Sequence, residues 1–110
     1  MAAVAAWVTA QAATSGIQSE GNTNQKNKSV WELWYEKNPE RFEDNIGPQK
    51  VCDTYNKYKE DVKLMKDIKL NSLRTSIQWS RLIKDFETGE VCTDAVRFYN
   101  EYFDEMINNG

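Results

Sequence analysis

Asn71-Ser-Leu-Arg-Thr-Ser-Ile-Gln-Trp-Ser-Arg81 reads as a β-strand lying between two stretches of helical periodicity. Strand side chains alternate between faces, so Leu73, Thr75, Ile77 and Trp79 point one way while Ser72, Arg74, Ser76 and Gln78 point the other. In a strand buried on both faces the Arg74 guanidinium needs a carboxylate partner, because an unpaired buried charge is costly. Arg74 is therefore expected at a site rather than in packing.

Upstream, Tyr55, Tyr58, Val62, Met65 and Ile68 recur at helical steps, with Lys57, Lys59, Glu60, Lys63 and Lys66 on the opposite side. That pattern predicts an amphipathic helix opened by Asp53 as N-cap and ending near Leu70, its tyrosines facing a core and its lysines facing water. Downstream, Leu82 to Thr93 reads as a polar loop. Ala95, Phe98, Tyr102 and Met106, flanked by Tyr99, Phe103 and Ile107, then predict a last helix, capped by Thr93 or Asp94, with Gly110 where a C-terminal left-handed residue is common. Helix, strand, loop and helix with short connections is the grammar of βα units on a parallel sheet.

The first half of the chain is more broken. Val8 to Thr14 is a candidate first strand, followed by Ser15-Gly-Ile-Gln-Ser-Glu-Gly21, whose glycines permit tight turns. Asn22 to Ser29 is a loop by composition. Val30-Trp-Glu-Leu-Trp-Tyr-Glu-Lys37 predicts a short helix stopped before Pro39, with Phe42 and Ile46 as further contacts ahead of a break at Gly47-Pro48. Trp31 and Trp34 have the spacing of core residues, with sugar stacking as the competing role. The start, Met1 to Ala10, is apolar but lacks a basic leader, and its apolar run falls short of the about 20 residues of a spanning helix, so neither a signal peptide nor a membrane anchor is expected.

Composition limits the function classes. The chain has 110 residues, 28% of them charged and 40% hydrophobic, which fits one globular domain rather than a disordered segment. Its net charge of −3, with both signs interleaved, disfavours nucleic acid and anionic membrane as partners. Histidine is absent, which removes the usual general base and the commonest metal ligand. Cys52 and Cys92 stand alone, in neither a zinc nor a Cys-x-x-Cys spacing, and free thiols in a cytoplasmic protein are expected; no metal or cofactor is called for.

Two strands with their helices cannot close a barrel. A two-stranded parallel sheet leaves both edges open and much of each apolar helix face uncovered, so these residues are expected to form part of something larger.

Thr14-Ser-Gly-Ile-Gln-Ser-Glu-Gly21, Gly47-Pro48, Tyr58-Lys-Glu-Asp-Val-Lys-Leu-Met-Lys66, Asn71 to Leu82 and Asp85-Phe-Glu-Thr-Gly-Glu-Val91 together resemble, from about Ala13 to the C-terminus, the N-terminal quarter of glycoside hydrolase family 1, in particular its bacterial 6-phospho-β-glucosidases. The resemblance implies an α/β fold, the N-terminal part of a TIM (β/α)8 barrel, a fold of about 250 residues, with strand 1, helix 1, strand 2 and helix 2 supplied here and residues 1–110 a partial domain ending before strand 3. It implies that Gln18, in the Gln-x-Glu-Gly motif after strand 1, binds hydroxyls of the glycone sugar. Arg74 then corresponds to the arginine that keeps the nucleophilic glutamate ionised, and Trp79 stands near the site.

The implied reaction is retaining hydrolysis of 6-phospho-β-D-glucosides in the cytoplasm, after uptake by a phosphotransferase system. One glutamate attacks the anomeric carbon and a second, about 5–5.5 Å away, donates and then takes a proton. Both glutamates, and the family's phosphate-gripping group, correspond to positions beyond residue 110, so no hydrolysis by these residues alone is expected. The competing role is a non-catalytic fragment that self-associates through its uncovered apolar faces. Residues 1–12 depart from the family pattern: Ala10-Gln11 stands where Trp-Gly is expected, and Trp7 is out of step. Glu20 is expected to bond nearby backbone in a turn.

Overall fold

A computed structural model describes residues 10–110. Trp7, the expected strand start at Val8 and most of the apolar N-terminal run lie outside the described residues. The first described strand, β1 (Gln11–Ala13), runs parallel to β2 (Ser72–Arg74), with Gln11, Ala12 and Ala13 opposite Ser72, Leu73 and Arg74. The pairing extends one step through the Thr14 N–H, which donates to the Arg74 carbonyl at 2.9 Å. The parallel βα arrangement is as expected, but the strand expected to reach Arg81 is only three residues long.

The crossover from β1 to β2 contains α1 (Gly16–Ser19), α2 (Val30–Lys37), two 3-10 turns at Pro39–Arg41 and Glu43–Asn45, and α3 (Thr54–Asp67). Helix α2 has the predicted bounds because its first turn is a capping box. The Ser29 hydroxyl accepts from the Glu32 N–H at 3.3 Å, and the Glu32 carboxylate accepts from the Ser29 N–H at 2.7 Å. The expected core placement of Trp31 and Trp34 is corrected, since they are 50% and 40% exposed and pack edge to face with each other, Trp34 also lying against Phe42. After the break, Gly47 lies so close to the Tyr35 ring that a Cβ there would stand 2.4 Å from its Cγ.

β2 is followed by α4 (Trp79–Leu82), by a hairpin of β3 (Ile83–Asp85) and β4 (Glu90–Val91), and by α5 (Thr93–Asn108). The expected polar loop from Leu82 to Thr93 is thus an antiparallel hairpin. Its turn is built from local chemistry: the Asp85 carboxylate accepts the Glu87 N–H at 2.8 Å, and Gly89 takes φ +75°. Helix α5 starts one residue after Cys92, which holds the N-cap position in place of Thr93 or Asp94; Asp94 sits in the first turn and pairs with Arg97. Asp53 is the N-cap residue of α3 but does not cap with its side chain; its carboxylate accepts from the Asn56 amide at 2.8 Å. Cys52 and Cys92 are free thiols.

The core lies between α3 and α5. Tyr58 and Val62 from one helix and Phe98, Tyr99 and Tyr102 from the other form the buried cluster, with Leu73 of β2 and Leu82 packed against it. The rings meet at aromatic distances, 4.6 Å between the Tyr55 and Phe98 centroids and 5.8 Å between those of Tyr58 and Tyr102. The lysine face of α3 is exposed, as its periodicity predicts. Ile68, expected in the core, is 69% exposed because α3 ends before it. Among the described residues the outer edges of β1 and β2 have no strand partner.

The end of α3 hides a signal that composition does not carry. The Leu70 N–H donates back to the Met65 carbonyl and the Lys69 N–H to the Lys66 carbonyl, both at 2.9 Å, with Lys69 at φ +61°. This is a Schellman closure with lysine where glycine is usual. Lys69→Gly is expected to raise stability by about 1 kcal/mol through relief of the left-handed conformation, read as a higher urea midpoint at unchanged slope.

Candidate functional site

Gln18 and Arg74 meet at the C-terminal ends of the two parallel strands. Gln18 is carried by α1 immediately after β1, and Arg74 is the last residue of β2. With Ala13, Thr14, Ser15, Thr75 and Ser76 they line one open cleft of about 220 Å³. Both side chains are exposed, and the Gln18 Oε1 accepts a hydrogen bond from the Ser15 hydroxyl at 2.9 Å. The backbone closes the floor of the cleft, where the Gly16 N–H donates to the Ser76 hydroxyl at 3.0 Å. Trp79 is 69% exposed and is not among the residues lining this cleft.

The carboxylate partner expected for Arg74 is a glutamate at a position outside the described residues. Arg74 is exposed and forms no ion pair among the described residues. Strand β2 ends at Arg74 and has a neighbour on one edge only among these residues, so no second layer covers its guanidinium.

The buried arginine that needs a carboxylate is Arg81. It is 1% exposed, and its Nε donates to Glu20 Oε2 at 2.8 Å, while its two terminal nitrogens donate to the carbonyls of Thr23 at 2.6 Å and Gly21 at 2.8 Å. Its guanidinium carbon lies 4.3 Å from the centre of the Tyr55 ring and 5.6 Å from that of Phe98. Glu20, 2% exposed, also accepts from the Tyr99 hydroxyl, whose oxygen is 2.8 and 3.0 Å from its two oxygens. The expected local role of Glu20 is therefore corrected: its side chain binds residues far along the chain. Burial pushes the Glu20 carboxyl above its ordinary value of 4.5, while the hydrogen bonds from Tyr99 and Arg81 and the Arg81 charge pull it back.

A second buried polar chain holds the Asn22–Ser29 loop. The Gln25 amide donates to Glu32 at 2.7 Å and to Ser80 at 3.0 Å, the Gln78 amide donates to the Gln25 carbonyl oxygen at 3.0 Å, and the Asn27 amide donates to the Ile83 carbonyl at 2.6 Å. The segment that reads as a loop by composition is thereby fixed against α2, α4 and β3. None of Glu20, Tyr99, Gln25 or Gln78 stands out by spacing. Their partners lie far along the chain, so no local pattern marks them.

Residues 6–110 match the model of glycosyl hydrolase family 1. The chain belongs to this family. It is 41% identical over 104 residues to the 6-phospho-beta-glucosidase GmuD of Bacillus subtilis (strain 168), covering 94% of this chain and 22% of that protein. It is 38% identical over 102 residues to the furostanol glycoside 26-O-beta-glucosidase of Hellenia speciosa, covering 90% of this chain and 18% of the relative. Among solved structures, a beta-glucosidase from Thermotoga maritima superimposes with a TM-score of 0.83 at 27% identity, over 93% of this chain and 23% of its own. Aphid myrosinase does so with a TM-score of 0.79 at 30% identity, over 90% of this chain and 22% of its own. The chain thus spans about a fifth of the length of these family 1 proteins, as an α/β segment of their (β/α)8 barrel. Among the described residues no helix is long and apolar enough to cross a membrane.

The buried phenols yield a pH prediction. Burial pushes the Tyr99 hydroxyl well above its ordinary value of 10.0, reinforced by the neighbouring Glu20 charge, and burial pushes Tyr102 up to about 12. Above pH 10 the unfolded chain loses these protons while the folded chain keeps them. The folded state then binds more protons, and stability falls as pH rises through this window. The urea midpoint is expected to decline from pH 10 to 12, with Tyr99 phenolate absorbance appearing only on unfolding, and Tyr99→Phe is expected to flatten the decline.

Proposed function

We propose that these residues form the glycone-facing start of a retaining β-glucosidase that acts on 6-phospho-β-D-glucosides. The observation that carries this is the meeting of Gln18 and Arg74 in one cleft at the C-terminal ends of adjacent parallel strands, the end of a (β/α)8 barrel where chemistry is placed. In this role the Gln18 amide, which offers both a donor and an acceptor, binds a sugar hydroxyl pair. The exposed Arg74 guanidinium holds a glutamate nucleophile from a later strand in its ionised form, as a neighbouring cation lowers a carboxyl pKa. Arg74 fits no general-acid role, because arginine does not release its proton at working pH. Arg74 therefore assists and does not itself react.

The 6-phospho specificity is supported by the 41% identical Bacillus relative, whose name carries it. The site of action proposed with it is the cytoplasm, where phosphorylated glucosides are held. The two carboxylates of the retaining mechanism are proposed to come from outside these residues, so the 110-residue chain alone is expected to be inactive.

A chimera in which the chain replaces the matching segment of the Bacillus relative tests this. It is expected to hydrolyse an aryl β-D-glucoside 6-phosphate in preference to the unphosphorylated glucoside, and Arg74→Met in the chimera is expected to lower kcat/KM on the order of a hundredfold. Turnover by the isolated chain, or an Arg74→Met chimera with undiminished kcat/KM, contradicts the assignment.

A further inference from the structure

We propose that Tyr99, on the inward face of α5, is a positioning residue for the Gln18/Arg74 cleft, because its one hydroxyl ties the two walls of the cleft together from behind. That hydroxyl donates to the Glu20 carboxylate, on the turn that carries Gln18, and accepts the Gln78 backbone N–H at 2.8 Å, on the segment that continues from Arg74. Tyr99 is 4% exposed and does not line the cleft, so it acts through the walls and never on a bound sugar.

Neither wall is held by its own secondary structure. Helix α1 is a single turn of four residues, too short to be stable by itself, and its C-cap residue is Glu20. Past Arg74 the other wall leaves the sheet and has no regular structure until α4 begins at Trp79. Direct ties between the walls are the bond from the Thr14 N–H to the Arg74 carbonyl at the strand ends and the bond from the Gly16 N–H to the Ser76 hydroxyl, and neither reaches Glu20 or Gln78. The walls already touch at Gly16, where a Cβ would stand 3.0 Å from both the Gln78 Cβ and a Glu20 oxygen. At that separation small displacements are felt sharply, so whatever holds Glu20 and Gln78 at a fixed distance sets the width of the cleft.

The Gln78 side chain supports the same conclusion. Its Oε1 is buried and accepts no hydrogen bond from the described residues. Its Nε2 donates to the Gln25 side-chain oxygen and the Ser80 hydroxyl, on the side of the loop and α4, so the hydrogen bond that ties this segment to α5 is the backbone one to Tyr99.

Tyr58 is the matched control. It belongs to the same aromatic cluster and donates its hydroxyl to Glu101 at 3.1 Å, away from the cleft. Tyr58→Phe and Tyr99→Phe each delete one hydroxyl from one core.

The test is amide NMR of the 110-residue chain and these two variants, each titrated with glucose 6-phosphate. Tyr99→Phe is expected to shift the backbone amides of Gly16 and Gln78 and the side-chain amide of Gln18, and to weaken the sugar response severalfold. Tyr58→Phe is expected to leave all three at wild-type positions. Wild-type signals in Tyr99→Phe, or equal changes in both variants, overturn the proposal. Should Tyr99→Phe not fold, native-state hydrogen exchange of the wild type decides: the Gly16 and Gln78 amides open together if Tyr99 couples the walls, and opening at separate denaturant concentrations overturns it. The meaning for recognition rests on the glycone role proposed above, and the two fail differently. If that role is wrong, glucose 6-phosphate moves no cleft signal in the wild type while the Tyr99→Phe shifts persist; if the present inference is wrong, the sugar response persists unaltered in the variant.

Discussion

The buried pair of Arg81 and Glu20 is the constraint on which the rest of this structure depends. A guanidinium and a carboxylate 2.8 Å apart, 1% and 2% exposed, cannot tolerate separation without leaving a charge stranded in the core. Glu20 follows β1 and Arg81 follows β2, so the pair fixes one βα unit against the next. Arg81 also occupies the carbonyls of Gly21 and Thr23, and this places the loop after α1 over Tyr55 and Phe98. The sheet is too small to do this work, with three residues in each parallel strand. Side-chain electrostatics at the strand ends therefore substitute for backbone pairing along the strands.

That division of labour has a functional consequence. The cleft containing Gln18 and Arg74 is open and its side chains are exposed, while the charged groups directly behind it are sealed. In the proposed role, rigidity and recognition fall to different residues on the same short segments, Glu20 beside Gln18 on one wall and Gln78 beyond Arg74 on the other. A recognition group held by a locked neighbour loses less conformational freedom on binding than one on a free loop.

How much of this the sequence discloses follows from the range of each interaction. The helices of residues 30–37, 54–67 and 93–108 were legible because apolar spacing and a stop such as Pro39 are local. The parallel strand pair and the family followed from motifs in order, and Gln18 and Arg74 line one cleft. Two elements were misjudged for physical reasons. The alternation from Ser72 to Trp79 resembles a long strand, yet β2 stops at Arg74 and Trp79 opens a helical turn that buries Arg81. Within the described residues the rule that a buried arginine needs a carboxylate is met by Arg81 with Glu20. The hairpin of Ile83–Asp85 and Glu90–Val91 was hidden by its polar composition, since its pairing depends on a turn made by Asp85 and Gly89. Contacts such as Tyr99 with Glu20 join positions far apart in sequence and have no local signature.

The most direct test of the central claim is a double-mutant cycle on the 110-residue chain with Glu20→Gln, Arg81→Met and the double variant, each unfolded in urea. A coupling of about 2 kcal/mol or more is expected, the double variant being less destabilised than the sum of the single ones, because each single change strands the partner's charge. Additivity within about 0.5 kcal/mol would mean that Glu20 and Arg81 are held by their surroundings independently, and that the pair does not organise the strand ends.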